Sequence, residues 1–158
     1  AKGITNATVP LGGVFTTGAV REAFLAGPPT MPDLFHGYTY SGHPLACAAA
    51  IATVDLYRDE GIFEHAEAMS GPWEEMLHSL RGLPGVIDIR NMGLVGAVQL
   101  ESTETVGARA RAAFEKLSDA GVSCRPIGAS PGMTPPLTRT EDHIGKIGGT
   151  FRSVLLAG

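Results

Sequence analysis

Apolar positions along this chain change period at about residue 43. Before that point they are scattered among Gly, Pro and Thr, with one short helical candidate at Thr17 to Leu25. Val14 and Phe15 just ahead of it read as the end of a buried strand. Pro28, Pro29 and Pro32 then impose an extended connection, since each fixes its own φ and restricts the preceding residue. From Pro44 to Gly61 the pattern is a long helix with Pro in its first turn and Gly as its stop. Its apolar residues run most of the way round, which predicts burial on more than one side. A second helix is predicted from about Ile62 to Leu80, with Phe63, Ala66, Met69, Trp73 and Leu77 on one face. Gly71-Pro72 in its middle predicts a kink or a break.

Beyond Gly82 the alternation shortens to a mixed α/β texture. Val86–Arg90 and Gly96–Leu100 read as strands joined by a turn at residues 91–94. Val106 to Ala120 is an amphipathic helix closed by Gly121. Val122–Arg125 reads as a short strand, and Met133–Leu137 as another segment running towards the sheet. Thr138 or Thr140 caps a last helix whose first turn carries Glu141 and Asp142. Gly145, Gly148 and Gly149 weaken that helix by roughly 1 kcal/mol each if they are interior. The expected division is residues 1–60 and residues 61–158.

Composition narrows the classes. Of 158 residues 44% are hydrophobic and 18% charged, a globular balance. Twelve basic against sixteen acidic residues give a net charge of −4, which argues against a general nucleic-acid binder. The longest uncharged apolar run, Leu45–Val54, is too short for a bilayer. Cys47 and Cys124 share no ligand-like spacing, and a reducing cytoplasmic compartment is the simplest reading. His36 and His43 are seven apart rather than three or four, so no metal site is expected. The start at Ala1-Lys2-Gly3, without an initiator Met, suggests a piece of something longer.

Three features could carry chemistry. Lys2 lies in Ala-Lys-Gly-Ile-Thr-Asn followed by Pro10-Leu-Gly-Gly, a tight backbone-dominated turn. Partial desolvation there would lower its pKa and make a nucleophilic amine, whereas its ordinary reading is a solvated surface lysine. His36-Gly-Tyr-Thr-Tyr-Ser-Gly-His-Pro44 gathers hydroxyls and free N–H groups at a helix entry, suited either to a phosphate or to simple capping. Arg125, at a predicted strand end, could grip a carboxylate bidentately or merely be solvated. Asp88, Arg90 and Arg139 offer no comparable case.

Together these segments resemble class III, fold-type I aminotransferases that use pyridoxal 5′-phosphate (PLP). The lysine loop is similar to theirs, residues 36–49 to the helix entry of the ω-aminotransferase and β-alanine:pyruvate aminotransferase subgroup, and residues 86–99 and 125–137 to its small domain. The resemblance implies an α/β fold: the end of the large PLP-binding domain with its linking helix (1–60), then a small C-terminal α/β domain (61–158). It makes Lys2 the lysine that binds PLP covalently and moves the substrate proton. It makes Thr39 a phosphate ligand for the neighbouring subunit of a homodimer, Tyr38 an aromatic at the same shared edge, and Arg125 the mobile arginine that holds a substrate carboxylate. The implied partners are an amine or ω-amino-acid donor and a keto acid such as pyruvate. Other class III reactions stay open: diamine or γ-aminobutyrate aminotransferase, glutamate-semialdehyde aminomutase, or a non-catalytic domain held by oligomer contacts. Where this family has Gly after Thr-Asn the chain has Ala7, which a positive φ would strain. The family's pyridine-pairing acid, main phosphate loop and ring-stacking aromatic precede the lysine, so this stretch alone is expected to be inactive.

Overall fold

The computed structural model describes residues 2–30, 34–102 and 105–157; Pro32 falls outside them. The chain separates into two compact units, Ala1–Glu60 and Gly61–Gly158.

The first unit holds a 3₁₀ turn at Lys2–Ile4 and helices α1 (Gly18–Leu25) and α2 (Pro44–Asp59). Pro44 takes the first helical position of α2, where a missing N–H costs nothing. The strand expected to end at Val14 and Phe15 does not form. Both side chains are over 90% exposed, and among the described residues the unit contains no strand that could pair with them. The expected burial of α2 on several sides is also corrected. Only Ala46 and Thr53 are buried, while Leu45, Ile51, Val54 and Leu56 are exposed, because within this unit only the Lys2–Ile4 turn packs on the helix to any extent.

The second unit is an antiparallel sheet covered by helices. Helix α3 (Ile62–His78) leads into the hairpin β1 (Val86–Met92) and β2 (Val95–Leu100). After α4 (Ala108–Asp119) come the hairpin β3 (Arg125–Ile127) and β4 (Ser130–Met133), then α5 (Glu141–Leu156). The sheet order is β1-β2-β4-β3. Both hairpins close with two residues, Gly93-Leu94 and Gly128-Ala129, and each has glycine at positive φ in its first position, as such tight turns favour. The strand expected at 122–125 instead starts at Arg125, and the segment expected at 133–137 is the end of β4 followed by irregular chain. Pairing decides this: Arg125 is opposite Gly132 and Ile127 opposite Ser130, a register that the turn at Gly128 imposes.

Pro72 does not break α3, which runs unbroken through it. The proline deprives only the carbonyl of exposed Ala68 of its helical partner, where water can replace it. Trp73 and Leu77 on either side of the next turn are fully buried, although Phe63 on the same predicted face is exposed. Gly96, Val98 and Leu100 of β2 alternate inwards, and Ile89, Met133, Leu117, Ile144, Phe151 and Leu155 complete the core with α3. Each large side chain buried there contributes roughly 1.5–3 kcal/mol. Helices α3 and α4 lie on the sheet, and α5 packs against both helices.

Two glycines are needed for close approach. A Cβ at Gly96 would lie 2.5 Å from Leu77 Cδ1 and 3.1 Å from Trp73 Nε1, and one at Gly148 would lie 2.6 Å from Met76 Cγ. Gly145 and Gly149, also interior to α5, face open space. Helix α5 starts at Thr140, whose hydroxyl lies 2.9 Å from His143 Nδ1 and whose N–H donates to the same nitrogen at 3.3 Å. In denaturant titrations Gly149→Ala should stabilise the second unit by about 0.5–1 kcal/mol. Gly96→Ala should destabilise it by about 1–3 kcal/mol through overpacking; equal effects at the two positions would contradict this packing.

Candidate functional site

The residues singled out by sequence fall into two groups, one in each unit. In the first unit Lys2 is exposed and sits at φ 59°, with Asn6 and Ala7 also left-handed at φ 47° and 60°. Asn tolerates this region, but for Lys and Ala it costs roughly 1–2 kcal/mol each, so the segment is held by its surroundings. Those surroundings are visible. The Ala7 N–H donates to Lys2 O at 3.3 Å, and buried Thr5 donates its hydroxyl to Val9 O at 2.6 Å. Tyr57 of α2 donates its hydroxyl to Gly3 O at 2.8 Å, a tie across 54 residues that sequence reasoning missed. A Tyr in the last turn of a helix carries no distinguishing sequence signal.

The loop before α2 is exposed throughout. His36 and Tyr38 stack edge to face at 5.0 Å, and the Thr39 N–H donates to Gly37 O at 2.7 Å, which leaves the Thr39 hydroxyl as that residue's available donor. This loop enters the first turn of α2, whereas the Lys2 turn is tied to Tyr57 near its last. Thirteen residues separate Pro44 from Tyr57, which is about 20 Å along a helix axis. Lys2 and the Tyr38–Thr39 loop are therefore associated with opposite ends of one helix.

In the second unit Arg125 lines a cleft of about 570 Å³ bordered by β3, β4, the chain after β4 and α5. Trp73 lines it too, and its fully buried indole Nε1 is the one buried side-chain polar atom without a hydrogen-bond partner among the described residues. Arg139, His143 and Lys146 border the same cleft. Sequence reasoning gave Arg139 no case, yet the spacing 139, 143, 146 is a helical stripe that could have signalled it. Cys124, half-buried beside Arg125, has its thiol pKa pushed up by desolvation. Among the described residues no group of three or more His, Cys, Asp or Glu side chains could hold a metal, and no helix is long and apolar enough to cross a membrane.

Residues 1–155 match the sequence profile of the family described as Aminotransferase class-III. The chain belongs to the class-III aminotransferases. It is 43% identical over 156 residues to an omega-aminotransferase of Caulobacter vibrioides, which covers 98% of this chain and 36% of that protein. It is 40% identical over 102 residues to the beta-alanine–pyruvate aminotransferase of Pseudomonas aeruginosa, covering 63% of this chain and 23% of that one. Among solved structures, an omega transaminase from Pseudomonas jessenii in complex with PMP superposes with a TM-score of 0.72 at 30% identity, over 77% of this chain and 28% of that chain. The α/β fold is thus that of part of a fold-type I transaminase, and the chain spans about a third or less of the relatives it matches.

Two measurements probe the local geometry of these class-III segments. Ala7→Gly should relieve the left-handed strain by about 1 kcal/mol. Hydrogen exchange at the Thr8 amide, which donates to Thr5 O, should slow about fivefold, and no change would mean the turn is unstrained. With its folded pKa raised, Cys124 holds less thiolate at a given pH than a free thiol does. Iodoacetamide at pH 8.5 should alkylate it more slowly than N-acetylcysteine, the gap narrowing as pH rises, as peptide mapping would reveal.

Proposed function

We propose that this chain is the Lys2-bearing part of a PLP-dependent ω-aminotransferase, which moves an amino group from an amine or ω-amino acid to a keto acid such as pyruvate. The observation that carries the reading is the Lys2 turn, left-handed at three residues and pinned to α2 through Tyr57, in a chain of class-III sequence. In this reading residues 1–60 are the end of the PLP-binding domain with its linking helix, and 61–158 the small domain.

The residues present suit the cofactor. Lys2 offers an exposed amine, and the loop before α2 offers the Thr39, Tyr38 and Ser41 hydroxyls at the N-terminal end of a sixteen-residue helix, where an anion is favoured. PLP, when bound, supplies an electrophilic carbon and an electron sink. Lys2 Nζ serves as the covalent partner and then as the base that carries the proton at the substrate Cα. The Tyr57 hydroxyl holds the Gly3 carbonyl next to Lys2, which anchors the backbone from which that amine extends. Tyr38 borders the phosphate site. Arg125 holds the substrate carboxylate in a charge-assisted pair and withdraws when the substrate is an amine. Because the Lys2 turn and the Thr39 loop belong to opposite ends of α2, Thr39 serves the cofactor of a second copy, which makes the active species a homodimer. Work in the cytoplasm suits this assignment.

Borohydride reduction of the chain with PLP tests it. The label should fall on Lys2 rather than on the other two lysines, Lys116 and Lys146, and vanish in Lys2→Ala. Thr39→Ala should weaken loading about tenfold by removing one charge-assisted hydrogen bond. Peptide mapping that finds the label elsewhere, or nowhere, would reject the assignment.

A further inference from the structure

The cleft that holds Arg125 has a charge pattern that a single carboxylate does not explain. Arg125, Arg139 and Lys146 all line it, and no Asp or Glu does, in a chain whose net charge is −4. None of the three side chains makes an ion pair or hydrogen bond among the described residues. Concentrated, unneutralised positive charge in a concave wall focuses field and draws an anion.

The cations are also spread out. Arg125 stands on β3 at the edge of the sheet, whereas Arg139 immediately precedes the cap of α5 and Lys146 follows it by seven residues, about 10 Å of helix. His143 and Ile147 continue the same stripe into the cleft. The Arg139 backbone is held at both ends: its N–H donates to Pro136 O at 3.2 Å, and the His65 Nε2–H donates to its carbonyl at 2.8 Å. The same cleft is lined by apolar Trp73, Met133, Pro135 and Ile147 together with the polar side chains of Ser123, Thr134 and His143. One carboxylate fills one guanidinium fork, and with Arg125 on β3 and the other two cations on or just before α5 this lining leaves at least one further cationic position on a different element.

We propose that the cleft binds an organic dianion, a dicarboxylate with a short apolar spacer, with one carboxylate on Arg125 and the other on the Arg139–Lys146 stripe of α5. This rests on the reading of Arg125 as a carboxylate ligand and adds the second subsite. The ligand's methylenes lie along Met133, Pro135 and Ile147, where burial adds to the affinity.

Trp73 is the only tryptophan in the chain and lines the cleft, so its fluorescence reports occupancy directly. Glutarate, butyrate and inorganic phosphate are titrated into the whole chain. Glutarate should change Trp73 emission saturably and bind at least tenfold more tightly than butyrate. Arg139→Gln and Lys146→Gln should each weaken glutarate about tenfold, the loss of one charged hydrogen bond, and leave butyrate within twofold. Lys146→Arg should retain glutarate binding, and Arg125→Gln should weaken both carboxylates. All three positions are exposed or half-exposed, so the variants keep the core intact. If butyrate and glutarate bind equally and only Arg125→Gln matters, the second subsite is wrong while the Arg125 reading stands. If neither carboxylate binds, both fall. Tighter binding of phosphate than of glutarate, with the same response to the variants, would overturn the dicarboxylate assignment. Lys2 labelling by PLP is independent of all three results.

Discussion

The second unit depends on one close approach, between the α3 face at Trp73 and Leu77 and the backbone of β2 at Gly96. Because residue 96 has no side chain, the helix lies directly on the central strands, and Trp73 is driven to complete burial under them. Everything that follows inherits that placement. Trp73 becomes a wall of the cleft, its indole N–H buried with no hydrogen-bond partner among the described residues. Helix α5 meets α3 where Gly148 leaves room for Met76, and Arg152 donates to Ser79 O at the end of α3.

Much of this was legible in the chain. Helix α2 was bounded closely because Pro44 and Gly61 are strong local punctuation, and the β1–β2 hairpin was placed, although its strands run to Met92 and from Val95 rather than stopping at Arg90 and Gly96. What failed were judgements that depend on partners. Val14 and Phe15 look like a strand, but a strand is a pairing, and the described residues of the first unit offer none. The apolar circumference of α2 likewise forecasts burial that only other polypeptide could provide, and its own unit does not. The bounds of β3 were missed by a few residues because a two-residue turn at Gly128, rather than hydrophobic periodicity, sets them.

The chemical residues divide along the same line. Lys2, Tyr38, Thr39 and Arg125 stood out because their neighbours in sequence resemble a family's motifs. Tyr57, Arg139 and Lys146 did not, since their roles come from what they meet in space: a carbonyl 54 residues away, or the far wall of a cleft. Glycines carried the opposite ambiguity. In α5, Gly148 is required by a neighbour while Gly145 and Gly149 touch nothing, and the sequence spells all three alike.

The bond from Tyr57 to Gly3 gives α2 a role besides packing. The helix carries the Lys2 turn against one end and the hydroxyl-rich loop on the other, so it acts as a ruler between two chemical elements. A helix is a ruler with phase as well as length: one residue added inside it would lengthen it by about 1.5 Å and rotate one end by about 100° relative to the other. Between Pro44 and Tyr57, an insertion or deletion therefore changes distance and phase at once. The loop before Pro44 and the turn held by Tyr57 keep their separation and phase only while the count of residues between them holds.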